Sequence, residues 1–98
     1  MSMRESYLFV VYDIEDDRIR NKVYETCKDY GLKPVQYSVF WGKLSQNMRE
    51  ELFLRIQKTL GDKPGYVLVL PMCESDFRKV LRTGEPLSPY QEPVVVFV

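Results

Sequence analysis

Val35-Gln36-Tyr37-Ser38-Val39-Phe40-Trp41-Gly42-Lys43 is the stretch on which the fold turns. Val35, Tyr37, Val39 and Trp41 alternate with Gln36, Ser38, Phe40 and Gly42, and the apolar types present are strand formers. Read as one strand, the stretch gives β-α-β, then α-β, then a tail strand. Bent or split into two pairing strands, it gives β-α-β-β-α-β, the ferredoxin-like split βαβ arrangement. Gly42 and the long run from Gln36 to Leu44 permit a hairpin but do not demand one.

On the N-terminal side, Tyr7-Leu8-Phe9-Val10-Val11-Tyr12 reads as a buried strand over residues 7–14. It ends in the acidic run Asp13-Ile14-Glu15-Asp16-Asp17. A helix is predicted over 17–30, with Ile19, Val23, Cys27 and Tyr30 on one face. Glu15, Asp16 and Asp17 favour its dipole, and Gly31 suits a left-handed C-cap. On the C-terminal side, Met48, Leu52, Ile56 and Leu60, widened by Phe53, predict a helix over 45–60 ended by Gly61. Asn47 with Glu50 makes a possible capping box, and Ser45 is a rival cap. Residues 65–70 read as a strand stopped by Pro71, residues 76–82 as a short helical turn, and residues 83–93 as loop. Residues 93–98 read as a terminal strand. The expected class is α+β: one ferredoxin-like domain over 1–98, with an extra C-terminal strand and 83–98 as linker and tail.

The 98 residues balance 14 basic against 14 acidic side chains, so net charge does not announce a nucleic-acid partner. Any such contact must come from a local patch or a metal. The chain has no histidine, which leaves acid–base chemistry to carboxylates, tyrosines or metal-bound water. Cys27 and Cys73 form no CxxC pair, so both are expected to be reduced core thiols. No apolar run approaches the roughly 18 residues of a membrane helix, and Asp13 interrupts any signal-peptide core. A cytoplasmic protein with no membrane contact is expected.

Residues 8–12, 66–70 and 94–98 are almost continuously apolar, whereas a sheet with one wet face should alternate. Two helices cover only one face of a four-stranded sheet. A second copy on a two-fold axis is the expected cover for the other, so a homodimer is predicted. The tail strand could add to its own sheet or to its partner's. The axis bears on Asp13, which is either a helix-start residue or a ligand. Two copies at about 4 Å would repel by roughly 4 kcal/mol at an effective dielectric of 20 and would need a shared proton or a cation such as Mg²⁺. Farther apart they need neither.

Several motifs taken together carry a resemblance. Tyr12-Asp13-Ile14 follows an apolar strand, and a helix with Arg18, Arg20 and Lys22 comes next. Tyr30-Gly31 and Gln36-Tyr37-Ser38-Val39-Phe40, with Gly42 and Leu44, complete the set. At these separations in so short a chain they resemble the CRISPR-associated protein 2 family, the small endoribonuclease-like subunit of spacer acquisition. The resemblance covers nearly the whole chain. It implies a ferredoxin-like homodimer with Mg²⁺ held near the interface by both copies of Asp13. It also implies phosphodiester cleavage of RNA or DNA in antiviral CRISPR immunity, and a bridging role toward the integrase, CRISPR-associated protein 1. The expected site is Asp13 as catalytic and metal residue, Arg18, Arg20 and Lys22 on the nucleic acid, and Tyr12, Ser38 and Phe40 lining it. In the bland alternative, Tyr12 and Phe40 are core aromatics, Ser38 is a strand-packing residue, and at least one of the three basic residues lies on a solvated helix face. The chain departs from the family pattern at Pro34 beside Lys33, where an arginine is common, and at Trp41, where an acidic residue is common.

A second reading makes the protein a dimeric adaptor without catalysis. Arg18, Arg20, Lys22, Lys28, Arg78, Lys79 and Arg82 would then form a phosphate-contacting stripe for duplex DNA. A third, a regulatory or RNA-binding module on the same superfold, has only Lys63-Pro64-Gly65-Tyr66-Val67-Leu68 as a faint RNP1 echo.

Overall fold

The computed structural model describes residues 4–84. The decisive stretch is split: β2 (Lys33–Gln36) and β3 (Val39–Ser45) pair antiparallel across a turn at Tyr37 and Ser38, with a bulge between Pro34 and Gln36. Around them lie β1 (Glu5–Asp13), α1 (Asp17–Asp29), α2 (Gln46–Leu60), β4 (Tyr66–Met72) and the short α3 (Glu74–Phe77). The expected tail strand lies outside the described residues, as does all of the linker beyond Gly84.

The sheet order is β2-β3-β1-β4, with every neighbouring pair antiparallel. β1 and β2 therefore run parallel with β3 between them, and β3 and β4 run parallel with β1 between them. Two split βαβ units interlock around β1, which is the ferredoxin-like arrangement.

Local chemistry sets the helix ends. Asp16 caps α1 by accepting from the Ile19 N–H at 3.0 Å. That bond is the main reason its carboxyl titrates below the ordinary value. At the other end Gly31, at φ +83°, gives a left-handed turn. The Gly31 N–H then reaches Lys28 O at 2.9 Å and the Leu32 N–H reaches Cys27 O at 3.1 Å, a Schellman pair. α2 is capped by Ser45, whose hydroxyl accepts from the Met48 N–H at 3.2 Å. Asn47 lies inside the helix, so the capping box expected there does not form.

The main core packs Val23 and Cys27 of α1 and Leu52 and Ile56 of α2 against Leu8, Val10, Tyr12 and Phe40 of the sheet. Ile19, Tyr30 and Leu60 line its rim, whereas Met48 and Phe53 of the predicted stripe are exposed.

Three expectations are corrected. β4 does not stop at Pro71 but continues to Met72; among the described residues it is an outer strand, the place in a sheet where a proline is tolerated. The helical turn begins at Glu74 rather than residue 76, since Cys73 caps it with Sγ accepting from the Asp76 N–H at 3.4 Å. Cys73 is consequently exposed, and only Cys27 is a core thiol, its ionisation pushed up to about 12 by burial.

The opposite face of the sheet is partly covered. Phe77 of α3 lies parallel to the Tyr7 ring at 4.0 Å between centroids and stacks on Trp41 at 5.1 Å. Phe9, Val35 and Met72 pack around this second small core. The other end of the face carries Val11 and the exposed Tyr66, Leu68 and Leu70.

Candidate functional site

Asp13 is the last residue of β1, the inner strand flanked by β3 and β4. Successive strand residues face opposite ways. Asp13 therefore shares a face with Phe9 and Val11, and its register partner on β4 is Tyr66. Tyr12 and Val10 point into the helical layer. The Asp13 carboxylate is thus an exposed acid at the far end of the sheet face that α3 leaves open. No group of three or more metal-ligating side chains is assembled among the described residues. Mg²⁺ takes one or two carboxylates and completes its shell with waters and substrate phosphate, so the donor chemistry of the exposed Asp13 carboxylate fits that ion.

The connection from β1 into α1 is held by Arg20. Its Nη1 donates to Ile14 O at 2.9 Å and to Glu15 O at 3.1 Å, and its Nη2 pairs with the Asp17 carboxylate. These bonds use three of its five N–H donors and make Arg20 an anchor of the loop. Arg18 and Lys22 differ. They are exposed and four residues apart on the outer side of α1, a spacing that lets both address one phosphate backbone.

The three expected lining residues separate. The Tyr12 ring is buried, and its hydroxyl donates to Tyr37 O at 3.0 Å while its N–H donates to Ser38 O at 3.1 Å. Desolvation holds its phenol well above the ordinary value. Tyr12 thus ties the β2–β3 turn to the end of β1 from inside the core. Ser38 is brought beside this end through its carbonyl. Phe40 is fully buried, packed edge-on to Tyr24 at 5.0 Å, and it cannot stack on a base. Its register partner Val10 explains why: both face the helices.

The seven-residue basic stripe is not one surface. Lys28 lies over the Tyr24 ring on the helical side, while Arg78 pairs with Glu74 at 2.8 Å beyond α3, on the other face of the sheet. Trp41 follows from its surroundings. It faces Phe9 across the ladder and packs with Tyr7 and Phe77, where an acidic side chain would lose its water. Lys33 sits opposite Trp41 on the outer strand and is exposed.

Sequence reasoning missed Gly65. It is the residue before β4 and lies at φ +136°; a Cβ there would sit 2.8 Å from Asp13 O. The only signal was a glycine just ahead of an apolar strand.

Comparison with known proteins bears on the family and the fold. The sequence model of the family described as CRISPR associated protein Cas2 matches residues 6–80. A protein of Desulforudis audaxviator named CRISPR-associated endoribonuclease Cas2 is 52% identical over 69 residues, which cover 70% of this chain and 65% of that relative. The chain thus spans just under two thirds of that protein. A Methanospirillum hungatei protein named CRISPR-associated endoribonuclease Cas2 1 is 34% identical, covering 87% of this chain and 90% of its own length. Among solved structures, a crystal structure of cas2 superposes with a TM-score of 0.64 at 28% identity, covering 93% of this chain and all of that one. A hypothetical protein from Thermus thermophilus superposes with a TM-score of 0.66 at 31% identity, covering 71% of this chain and 84% of its own.

Proposed function

The chain belongs to the CRISPR associated protein Cas2 family, and from that membership we propose that it is a homodimeric, Mg²⁺-dependent endoribonuclease of CRISPR spacer acquisition, working in the cytoplasm. The observation that carries the reading is the place of Asp13: an exposed carboxylate on the sheet face that keeps uncovered Leu68 and Leu70. A second copy seated on that apolar face supplies the second carboxylate. The names of the curated relatives support RNA as the substrate.

In the mechanism, the Asp13 side chains of the two copies would hold the cation. When bound, a divalent ion activates water for attack on the phosphodiester and offsets charge on the transition state. Arg18 and Lys22 hold the flanking phosphates. With no histidine in the chain, no imidazole takes part in proton transfer. The dimer bridges copies of CRISPR-associated protein 1 around incoming DNA. The non-catalytic adaptor reading keeps basic residues on both faces of the sheet rather than one continuous stripe.

Purified Asp13→Ala is expected to lose Mg²⁺-dependent cleavage of single-stranded RNA and of duplex DNA alike, while keeping the dimer mass. Undiminished cleavage overturns the nuclease reading and leaves the adaptor, which is then assayed by spacer acquisition in cells carrying Asp13→Ala.

A further inference from the structure

The backbone that carries Asp13 is gripped from two sides, and from that grip we infer that Arg20 and Gly65 are positioning residues for the Asp13 carboxylate. The inference rests on the metal-dependent reading above and deepens it. On the helix side, one guanidinium holds the carbonyls of Ile14 and Glu15, at 2.9 and 3.1 Å, together with the Asp17 carboxylate. Those carbonyls belong to the two residues that follow Asp13. Arginine's planar fork presents several N–H donors in fixed directions, whereas a lysine ammonium is a single mobile point. Only the fork ties the two carbonyls to the first turn of α1 at once.

On the sheet side, the start of β4 presses against the same backbone. Gly65 lies at φ +136°, and a Cβ there would stand 2.8 Å from Asp13 O and 3.3 Å from Ile14 Cα. The closest obstacle, Asp13 O, is a backbone atom, so no side-chain movement relieves it. Any larger residue must push β1 and β4 apart at the Asp13–Tyr66 pair. Neither positioning residue needs to touch substrate or metal. They fix where the exposed Asp13 side chain starts, and a site of this kind needs its ligands held to within about 0.5 Å. Loss of such support around a metal ligand costs about 10–100-fold in affinity or activity.

The test compares the dimeric wild type with Asp13→Asn, Arg20→Lys and Gly65→Ala. Binding of Mn²⁺ alone is followed by its paramagnetic resonance, hydrogen exchange by mass spectrometry over residues 14–17, and single-stranded RNA cleavage by steady-state kinetics. Arg20→Lys is expected to keep its circular dichroism and dimer mass, weaken Mn²⁺ binding about tenfold or more, lower kcat with KM unchanged, and speed exchange over 14–17. Gly65→Ala should act in the same direction; if it fails to fold, Arg20→Lys decides. A raised KM with wild-type Mn²⁺ binding and wild-type exchange would make Arg20 a phosphate ligand and overturn the inference. If wild type and Asp13→Asn bind Mn²⁺ equally, the metal reading itself falls. The grip on the Asp13 backbone is then judged by exchange alone: faster exchange in Arg20→Lys sustains it and unchanged exchange ends it.

Discussion

Tyr12 shows how much depends on a single hydroxyl beside the site. Its phenol reaches Tyr37 O from within the core, and its N–H reaches Ser38 O, so both turn residues hang from β1. Tyr12→Phe keeps the ring and removes one hydrogen bond, which is worth about 0.5–1.5 kcal/mol net. Denaturant unfolding at neutral pH should show a loss of that size with Mn²⁺ binding intact. The alkaline limb gives the same residue a second signature. The folded phenol titrates above its ordinary value of 10.0, chiefly through desolvation, so its contribution is complete below pH 10 and is lost as pH rises beyond it. The decline in stability above pH 10 should therefore be shallower in Tyr12→Phe than in wild type, and an equal decline would mean that the phenol is not desolvated. At this scale Asp13 was legible in the sequence, because a carboxylate closing an apolar run is conspicuous. The core-aromatic alternative for Tyr12 was legible too. Adjacent strand residues face opposite ways, so Tyr12 and Asp13 could not share one surface. Phe40 was harder, since its facing depends on a hairpin register that begins only after the Tyr37–Ser38 turn and follows a bulge.

Among the elements, α3 is the one whose existence depends most on tertiary packing. Four residues cannot hold a helix alone. Phe77 seats it by stacking on Tyr7 and Trp41, and the Cys73 thiol caps it. Phe77→Ala should cost about 3 kcal/mol, the lower end for a buried phenylalanine, because its pocket lies at the sheet margin. Trp41 is the chain's single tryptophan and is buried. Its emission should shift to the red when Phe77 is removed, and an unshifted spectrum would mean that α3 does not cover it. The long elements were legible because their apolar spacing repeats: Val23 with Cys27 and Leu52 with Ile56 lie where the four-residue interval put them. Element ends were less so. Ser45 and Asn47 both satisfy the chemistry of a cap, and only the chain direction leaving β3 selects Ser45. Pro71 reads as a stop unless β4 is known to be an outer strand. That depends on the sheet order and has no local signal.

For the whole molecule, the two faces of one sheet are treated differently. α1 and α2 seal the first, whereas α3 covers only the Tyr7–Trp41 end of the second. Leu68 and Leu70 remain 46% and 43% exposed beside Val11 and the Asp13 carboxylate. Sequence alone pointed to this imbalance through strands too apolar to alternate; it also marked a short helical turn near α3, but not that Phe77 would pack that turn on the second face, and so it overstated how much face is bare. Each aliphatic side chain fully withdrawn from water contributes about 1.5–3 kcal/mol. A second copy laid on this end, as proposed above, would gain stability from the same surface that carries the Asp13 carboxylate. Leu68→Glu places a charge on that surface without touching the main core. Sedimentation at micromolar concentration should give a dimer mass for wild type and a monomer mass for Leu68→Glu, with circular dichroism unchanged. Mg²⁺-dependent cleavage should disappear with the dimer, because one protomer retains only one carboxylate. A Leu68→Glu protein that stays dimeric would move the interface elsewhere. One that becomes monomeric yet still cleaves would show that a single Asp13 suffices, and the paired-carboxylate site would have to be abandoned.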